Sequence, residues 1–200
     1  MIKGLHHAAY RCRDSEETRK FYEDFLGLPL AAALEISETK TGRTTRALHT
    51  FYRMDDGSSI AFFEAPDMDF DFKRQHDYDL HIALEVSQAD LEKMFAKGKA
   101  EGIETRGISD HRIINSIYFR DPNGYVVELT AKTPAHDEAM NAGHDKAKQA
   151  VKAWRRLTTT SPRWRRRKRR PMRCTMRPRK PRRPRSTLGR WTRLSPKRAN

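Results

Sequence analysis

The sequence predicts an α+β fold: two tandem βαβββ modules forming a cupped, mixed and antiparallel sheet, then a C-terminal helix and a disordered basic tail. Three observations predict it. Strand-like, helix-like and turn-like stretches follow one another in the same order twice, over 3–66 and 80–131. Matching residues keep their spacing: Phe21 lies fourteen residues after His7 and Phe95 fourteen after His81, while Ala61 and Glu128 each lie four residues after a glycine, Gly57 and Gly124. Order-preserving self-similarity of this kind marks a duplicated unit. The third observation is a partition of charge. Residues 1–151 carry 20 Lys/Arg and all 26 Asp/Glu, a net of −6, whereas 152–200 carry 21 Lys/Arg and no acid. The overall charge of +15 therefore describes a polycation joined to a mildly acidic body. Only the body has the composition to bury a core.

Each element has a local reason. Residues 5–12 alternate as a strand and stop at Asp14, which with Glu17 resembles a capping box. Phe21, Tyr22, Phe25 and Leu26 then form an apolar helical stripe that ends at Gly27. After a polar stretch, 47–54 reads as a strand, Asp55-Asp56-Gly57 as a hairpin turn and 58–65 as its partner. The polar segment 67–79 reads as a linker. In the second module 80–86 is a strand, and Ser87 caps a helix bearing Leu91, Met94 and Phe95 that stops near Gly102. Strands follow at 113–120 and 125–131 around the Asp121-Pro122-Asn123-Gly124 turn. Residues 136–157 read as a further helix beyond a domain spanning 1–133.

Several classes are disfavoured. Cys12 and Cys174 lie far apart in unlike contexts, which suggests no disulfide framework and fits a reducing compartment. The N-terminus lacks the apolar run of a signal peptide, and no stretch approaches the ~18 apolar residues of a membrane span. The expectation is a cytoplasmic protein with no membrane partner.

Glu128 sits in an otherwise apolar strand, where a carboxylate is costly unless something pairs with it. His7 and His81 occupy the first strands of their modules. A duplicated fold that faces its sheets together would gather these three. Two imidazoles and a carboxylate suit Fe(II), Mn(II), Ni(II), Co(II) or Zn(II), and three protein ligands leave positions open for substrate or dioxygen. The symmetric fourth position is Ala61, which cannot coordinate. His6 points to the opposite strand face and is the weaker candidate.

The strings GLHHAAYRCRDSEETRKFYEDFLGLPL, DLHIALEV and SIYFRDPNGYVVEL resemble the vicinal-oxygen-chelate superfamily, also called the glyoxalase/bleomycin-resistance/extradiol-dioxygenase superfamily, over about residues 3–133. The resemblance implies that His7, His81 and Glu128 are the metal ligands. Four-ligand members such as glyoxalase I and methylmalonyl-CoA epimerase have Glu or Gln where this chain has Ala61, so the resemblance favours three-ligand branches: extradiol-type dioxygenases and fosfomycin-modifying transferases. It also implies a small-molecule substrate and a homodimer; relatives either close the two modules within one chain or exchange them between chains, so both an intrachain and a cross-interface meeting of His7 with Glu128 stay open. The leading expectation is a ring-cleaving dioxygenase holding Fe(II) or Mn(II). A glutathione or thiol transferase, a lactoylglutathione-lyase-like enzyme and a non-catalytic bleomycin-type binder stand as alternatives.

His111, just upstream of the last two strands, has the chemistry of an acid or base near a metal-bound substrate. Tyr118 is the second catalytic candidate; with His49, Arg53 and Tyr10 it alternates along strands that would line the cup. Glu64 is expected in solvent or paired with an Arg, and Cys12 in the core. The tail at 158–200 has two readings. A genuine polycation would bind nucleic acid through phosphates, with Trp164 and Trp191 stacking on bases. The favoured reading is text translated out of frame, which its Arg/Pro/Thr/Ser-heavy composition resembles.

Overall fold

Aspartate and serine caps open the helices where the sequence places them. In the computed structural model, which describes residues 1–38, 41–74, 76–141 and 143–160, the Asp14 carboxylate accepts from the Glu17 amide at 2.8 Å and starts α1 (Ser15–Arg19). This helix continues as a π-helical turn, Lys20–Phe25, and Gly27 leaves it at φ +84°. Ser87 Oγ accepts from the Asp90 amide at 3.1 Å and starts α2 (Gln88–Ala100). Orphan N–H groups at both helix starts are thereby satisfied.

The strands are β1 (His7–Cys12), β2 (Leu30–Glu38), β3 (Thr44–Arg53) and β4 (Ser59–Glu64), then β5 (His81–Glu85), β6 (Thr105–Asp110), β7 (Ile114–Arg120) and β8 (Val126–Lys132). They form two four-stranded mixed sheets, ordered β1-β4-β3-β2 and β5-β8-β7-β6. The two orders are the same permutation, with one parallel pair each, β1 with β4 and β5 with β8. Registers match as well: Ala9 opposes Ala61 and Ala83 opposes Glu128, each two residues after the strand's histidine. Both expected βαβββ modules are therefore present.

Sequence reading missed β2 and β6, taking 28–46 as a polar stretch and leaving 103–112 unassigned. Both are outer strands, and β2 is exposed or half-buried throughout. An edge strand needs no continuous apolar face, so its periodic signal is weak. The helix expected over 136–157 is two helices, α3 (His136–Met140) and α4 (His144–Thr160), separated at Gly143 with φ +104°. Residues 161–200, most of the basic tail, lie outside the described residues.

One face of each sheet buries the core. Ile82, Leu84, Val127, Leu129, Ile117 and Phe119 pack with Leu91 of α2, while Ile60, Phe62 and Tyr52 pack with Phe21, Tyr22 and Phe25. Period-two alternation then turns His81, Ala83, Glu128 and Tyr118 to the other face of the second sheet. His7, Ala61, His49 and Phe51 take the same position on the first.

The Asp121–Gly124 turn joins the modules. Asp121 is 2% exposed; its Oδ1 accepts from the Asn123 and Tyr125 amides, and its Oδ2 from the Tyr22 hydroxyl and Asn123 Nδ2. Asn123 Oδ1 accepts from the Arg13 amide at 2.9 Å, and its Nδ2 also reaches Thr18 Oγ1. Tyr125 donates to the Arg11 carbonyl at 3.0 Å. Gly124 has φ +94°, and a Cβ there would stand 2.7 Å from the Lys73 backbone nitrogen. No larger residue fits.

Candidate metal and substrate site

His81 and Glu128 come together because they lie on adjacent parallel strands, β5 and β8, on one sheet face. His81 Nε2 stands 3.2 Å from Glu128 Oε2. The imidazole is held from behind, since its Nδ1 lies 2.7 Å from the carbonyl oxygen of Asp77. A carbonyl only accepts, so Nδ1 carries the proton and donates. Nε2 is left to face a carboxylate that also only accepts. With Nδ1–H donating to a carbonyl, the contact between Nε2 and the carboxylate is satisfied by a proton or by a cation shared between them. Metal-bound histidines use this pattern, with the far nitrogen fixed by a carbonyl or carboxylate. Glu128 is only 5% exposed and lies in a sheet, so its charge calls for a partner. On these grounds the donor set fits a divalent ion.

His7 is not part of this pair. It begins the exposed start of β1 on the first sheet, with His6 Nδ1 2.7 Å from its own Nδ1. Its ring lies edge-on to Phe51 and His49, at centroid distances of 5.4 and 6.0 Å. Among the described residues, no group of three or more His, Cys, Asp or Glu side chains gathers closely enough to hold a metal. One chain brings together two of the three expected ligands.

His111 and Tyr118 do meet. Tyr118 opposes Glu128 across β7 and β8, and its hydroxyl lies 2.9 Å from His111 Nε2. Burial, then the charge of Glu128, pushes the Tyr118 phenol up from its ordinary value. Tyr118 remains a neutral donor at physiological pH. Its counterpart on the first sheet is Phe51, which opposes Ala61 as Tyr118 opposes Glu128. The first module has therefore replaced the polar residues at both matched positions by apolar ones. His49, buried, stacks on Phe63 at 3.6 Å and lies near Phe51, making that face an aromatic wall.

Two expectations need adjusting. Tyr10 turns to the core side, packing near Phe62 and Tyr125, because it stands an odd number of residues from His7. Glu64 is half-buried and, rather than pairing with an Arg, accepts from the Ser15 amide at 2.7 Å and ties β4 to the start of α1. Cys12 is buried as expected, and burial pushes its thiol up to about 11. Sequence reasoning did not find Asp77 and Arg106. Asp77 Oδ2 accepts from Arg106 Nη2 at 2.9 Å, and that guanidinium lies over the Tyr118 ring, 5.3 Å from its centroid. Asp77 sits in a segment read as linker and Arg106 in an unassigned strand, so neither carried a signal.

The chain belongs to the Glyoxalase/Bleomycin resistance protein/Dioxygenase superfamily, whose family profile matches residues 4–129. Among solved structures, the fosfomycin resistance protein FosX from Listeria monocytogenes, complexed with Mn(II) and a sulfate ion, is 24% identical with a TM-score of 0.51, the match covering 68% of this chain and 98% of that one. A glyoxalase/dioxygenase from Nostoc punctiforme is 20% identical with a TM-score of 0.49, covering 66% and 92% of the two chains. TnmS3, an antibiotic binding protein from a Streptomyces species, is 19% identical with a TM-score of 0.49, covering 66% and 98%. At these identities the likeness is one of fold. No curated protein matches the chain.

Proposed function

We propose that this protein is a metal-dependent enzyme of its superfamily, acting as a ring-cleaving, extradiol-type dioxygenase on a small substrate that chelates through two neighbouring oxygens. The observation that carries the metal is the His81–Glu128 pair, 3.2 Å apart with the imidazole fixed through Nδ1. His81, Glu128 and His7 would hold Fe(II) or Mn(II), with Zn(II), Ni(II) or Co(II) as other occupants of the same donor set. When bound, such an ion supplies Lewis acidity toward the substrate oxygens and redox access to dioxygen.

The chain's own residues contribute the rest. Glu128 and His81 set the position of the ion, and Ala61 and Phe51 leave the matched side without a donor. Tyr118 donates a hydrogen bond to a developing oxyanion, and His111, 2.9 Å from its hydroxyl, takes up or returns the proton. The aromatic wall of His49, Phe51 and Phe63 suits a flat ring better than a small charged epoxide. That feature favours the dioxygenase over a thiol or glutathione transferase.

His7 reaches the site from a second copy in this reading. Two facts support it: β1 and β5 are both edge strands, and His7 is exposed at the start of one of them. A two-fold dimer that exchanges modules would then build two equal sites.

Metal analysis tests the proposal. Purified protein reconstituted anaerobically with Fe(II) or Mn(II) should hold about one ion per chain, and His81→Ala and Glu128→Ala should each lose it. Full metal in both variants would sink the idea. Oxygen uptake with catechols or hydroquinones, against thiol consumption with epoxides, separates dioxygenase from transferase.

A further inference from the structure

We infer that Asp77 and Arg106 are positioning residues of the metal site, an ion pair outside the ligand set that locks His81 with Nε2 toward Glu128. The inference rests on the metal reading above. Its evidence is a closed circuit of contacts. The Asp77 carbonyl holds His81 Nδ1 at 2.7 Å, and the Asp77 carboxylate holds Arg106 at 2.9 Å. Arg106 opposes Tyr118 on the neighbouring strand, and its guanidinium covers the Tyr118 ring. Tyr118 opposes Glu128, which faces His81. One residue, Asp77, thus meets a candidate ligand through its backbone carbonyl and the tyrosine's cover through its carboxylate.

The circuit solves a mechanical problem. His81 starts its strand directly after a turn in which the Asp79 amide donates to the His76 carbonyl at 2.8 Å. A carbonyl in such a turn is free to rotate unless something holds the residue that carries it. Arg106 is anchored on a strand, shares its second side with Glu104 at 3.8 Å, and rests on a rigid ring. Tying Asp77 to it fixes the direction of the carbonyl, and hence the tautomer and orientation of the imidazole. A partly exposed ion pair contributes little to global stability. Its cost on removal should appear in metal binding.

The test uses the full chain in three variants: Asp77→Asn, Arg106→Gln and both together, with Arg106→Lys as the conservative control. Mn(II) affinity is measured by titration and the His81 tautomer by nitrogen-15 NMR of metal-free protein, at a pH where the ring is neutral. Each single variant should weaken Mn(II) about tenfold and raise the Nε2–H fraction of His81, with the thermal midpoint near that of the wild type. The double variant should be no worse than either single, because the pair acts as a unit. Arg106→Lys should recover part of the affinity. Wild-type affinity and an unchanged His81 spectrum in both single variants would overturn the inference, as would losses that simply add. If the wild type itself takes up no Mn(II), the metal reading fails, and the His81 spectrum alone still decides whether the pair sets the ring.

Discussion

Asp121 concentrates more structural consequence than any residue of the site. It accepts four hydrogen bonds inside the protein, two on each carboxylate oxygen, and links the π-helical turn, through Tyr22, to the Asp121–Gly124 turn and Tyr125 just before β8. Burial holds its pKa above the ordinary carboxylate value, although bonds from Asn123, Tyr125 and Tyr22 pull it down. The folded state therefore binds a proton more readily than the unfolded chain, so this group's contribution to stability falls as pH rises from the ordinary carboxylate range through its folded pKa. Asp121→Asn turns an NH2 toward two donors and should cost about 1–3 kcal/mol for each donor left unsatisfied. Urea denaturation checks both points: the deficit of the variant against the wild type should widen from pH 7.5 to pH 5, and a narrowing gap would contradict the assignment. The same residue was legible in the sequence only as part of a turn. Asn123 and Tyr125 are its neighbours in that turn, but the Tyr22 hydroxyl comes from 99 residues away, which local pattern does not reveal.

At the scale of elements, α2 and the second sheet meet through a missing side chain. A Cβ on Gly98 would stand 2.6 Å from Phe119 Cε1 and also meet Thr105 Oγ1, both residues being buried. Glycine within a helix normally costs about 1 kcal/mol relative to alanine. Here the close approach reverses the sign, and Gly98→Ala should destabilise by about 1–3 kcal/mol through overpacking. A melting curve for this variant above that of the wild type would contradict the packing described. Helix starts and hairpin turns were readable because capping and turn chemistry act within a few residues, as at Asp14, Ser87 and Gly57. The outer strands β2 and β6 were not, because both of their faces are largely open to solvent and so carry little of the apolar/polar alternation that marks a half-buried strand. Parity misplaced Tyr10 for a similar reason, since alternation assigns faces only once the strand's register is known.

For the molecule as a whole, the proposed site requires His7 of a second copy to join the His81–Glu128 pair. Mixing two variants tests this. If the site is shared, a heterodimer of His7→Ala with Glu128→Ala holds one complete site, built from His7 of one chain and Glu128 of the other. Random exchange of equal amounts should then restore about a quarter of the wild-type metal, whereas neither variant alone binds any. No recovery on mixing would argue for a site closed within one chain. The tail is a separate matter: if it is a genuine polycation, deletion of residues 158–200 should abolish retention on nucleic acid and leave metal content unchanged, because phosphate binding scales with cationic charge. No helix among the described residues is long and apolar enough to cross a membrane. The sequence by itself determined the duplicated βαβββ plan, the superfamily and the identity of His7, His81 and Glu128 as candidates, because spacing within a repeat survives without any coordinates. Only the tertiary structure decided that His81 faces Glu128 while His7 stands apart on the other sheet, and that Asp77 and Arg106 lie against His81 and Tyr118. Those relations depend on which strands lie side by side, and contacts between residues distant in the chain leave no periodic trace in it.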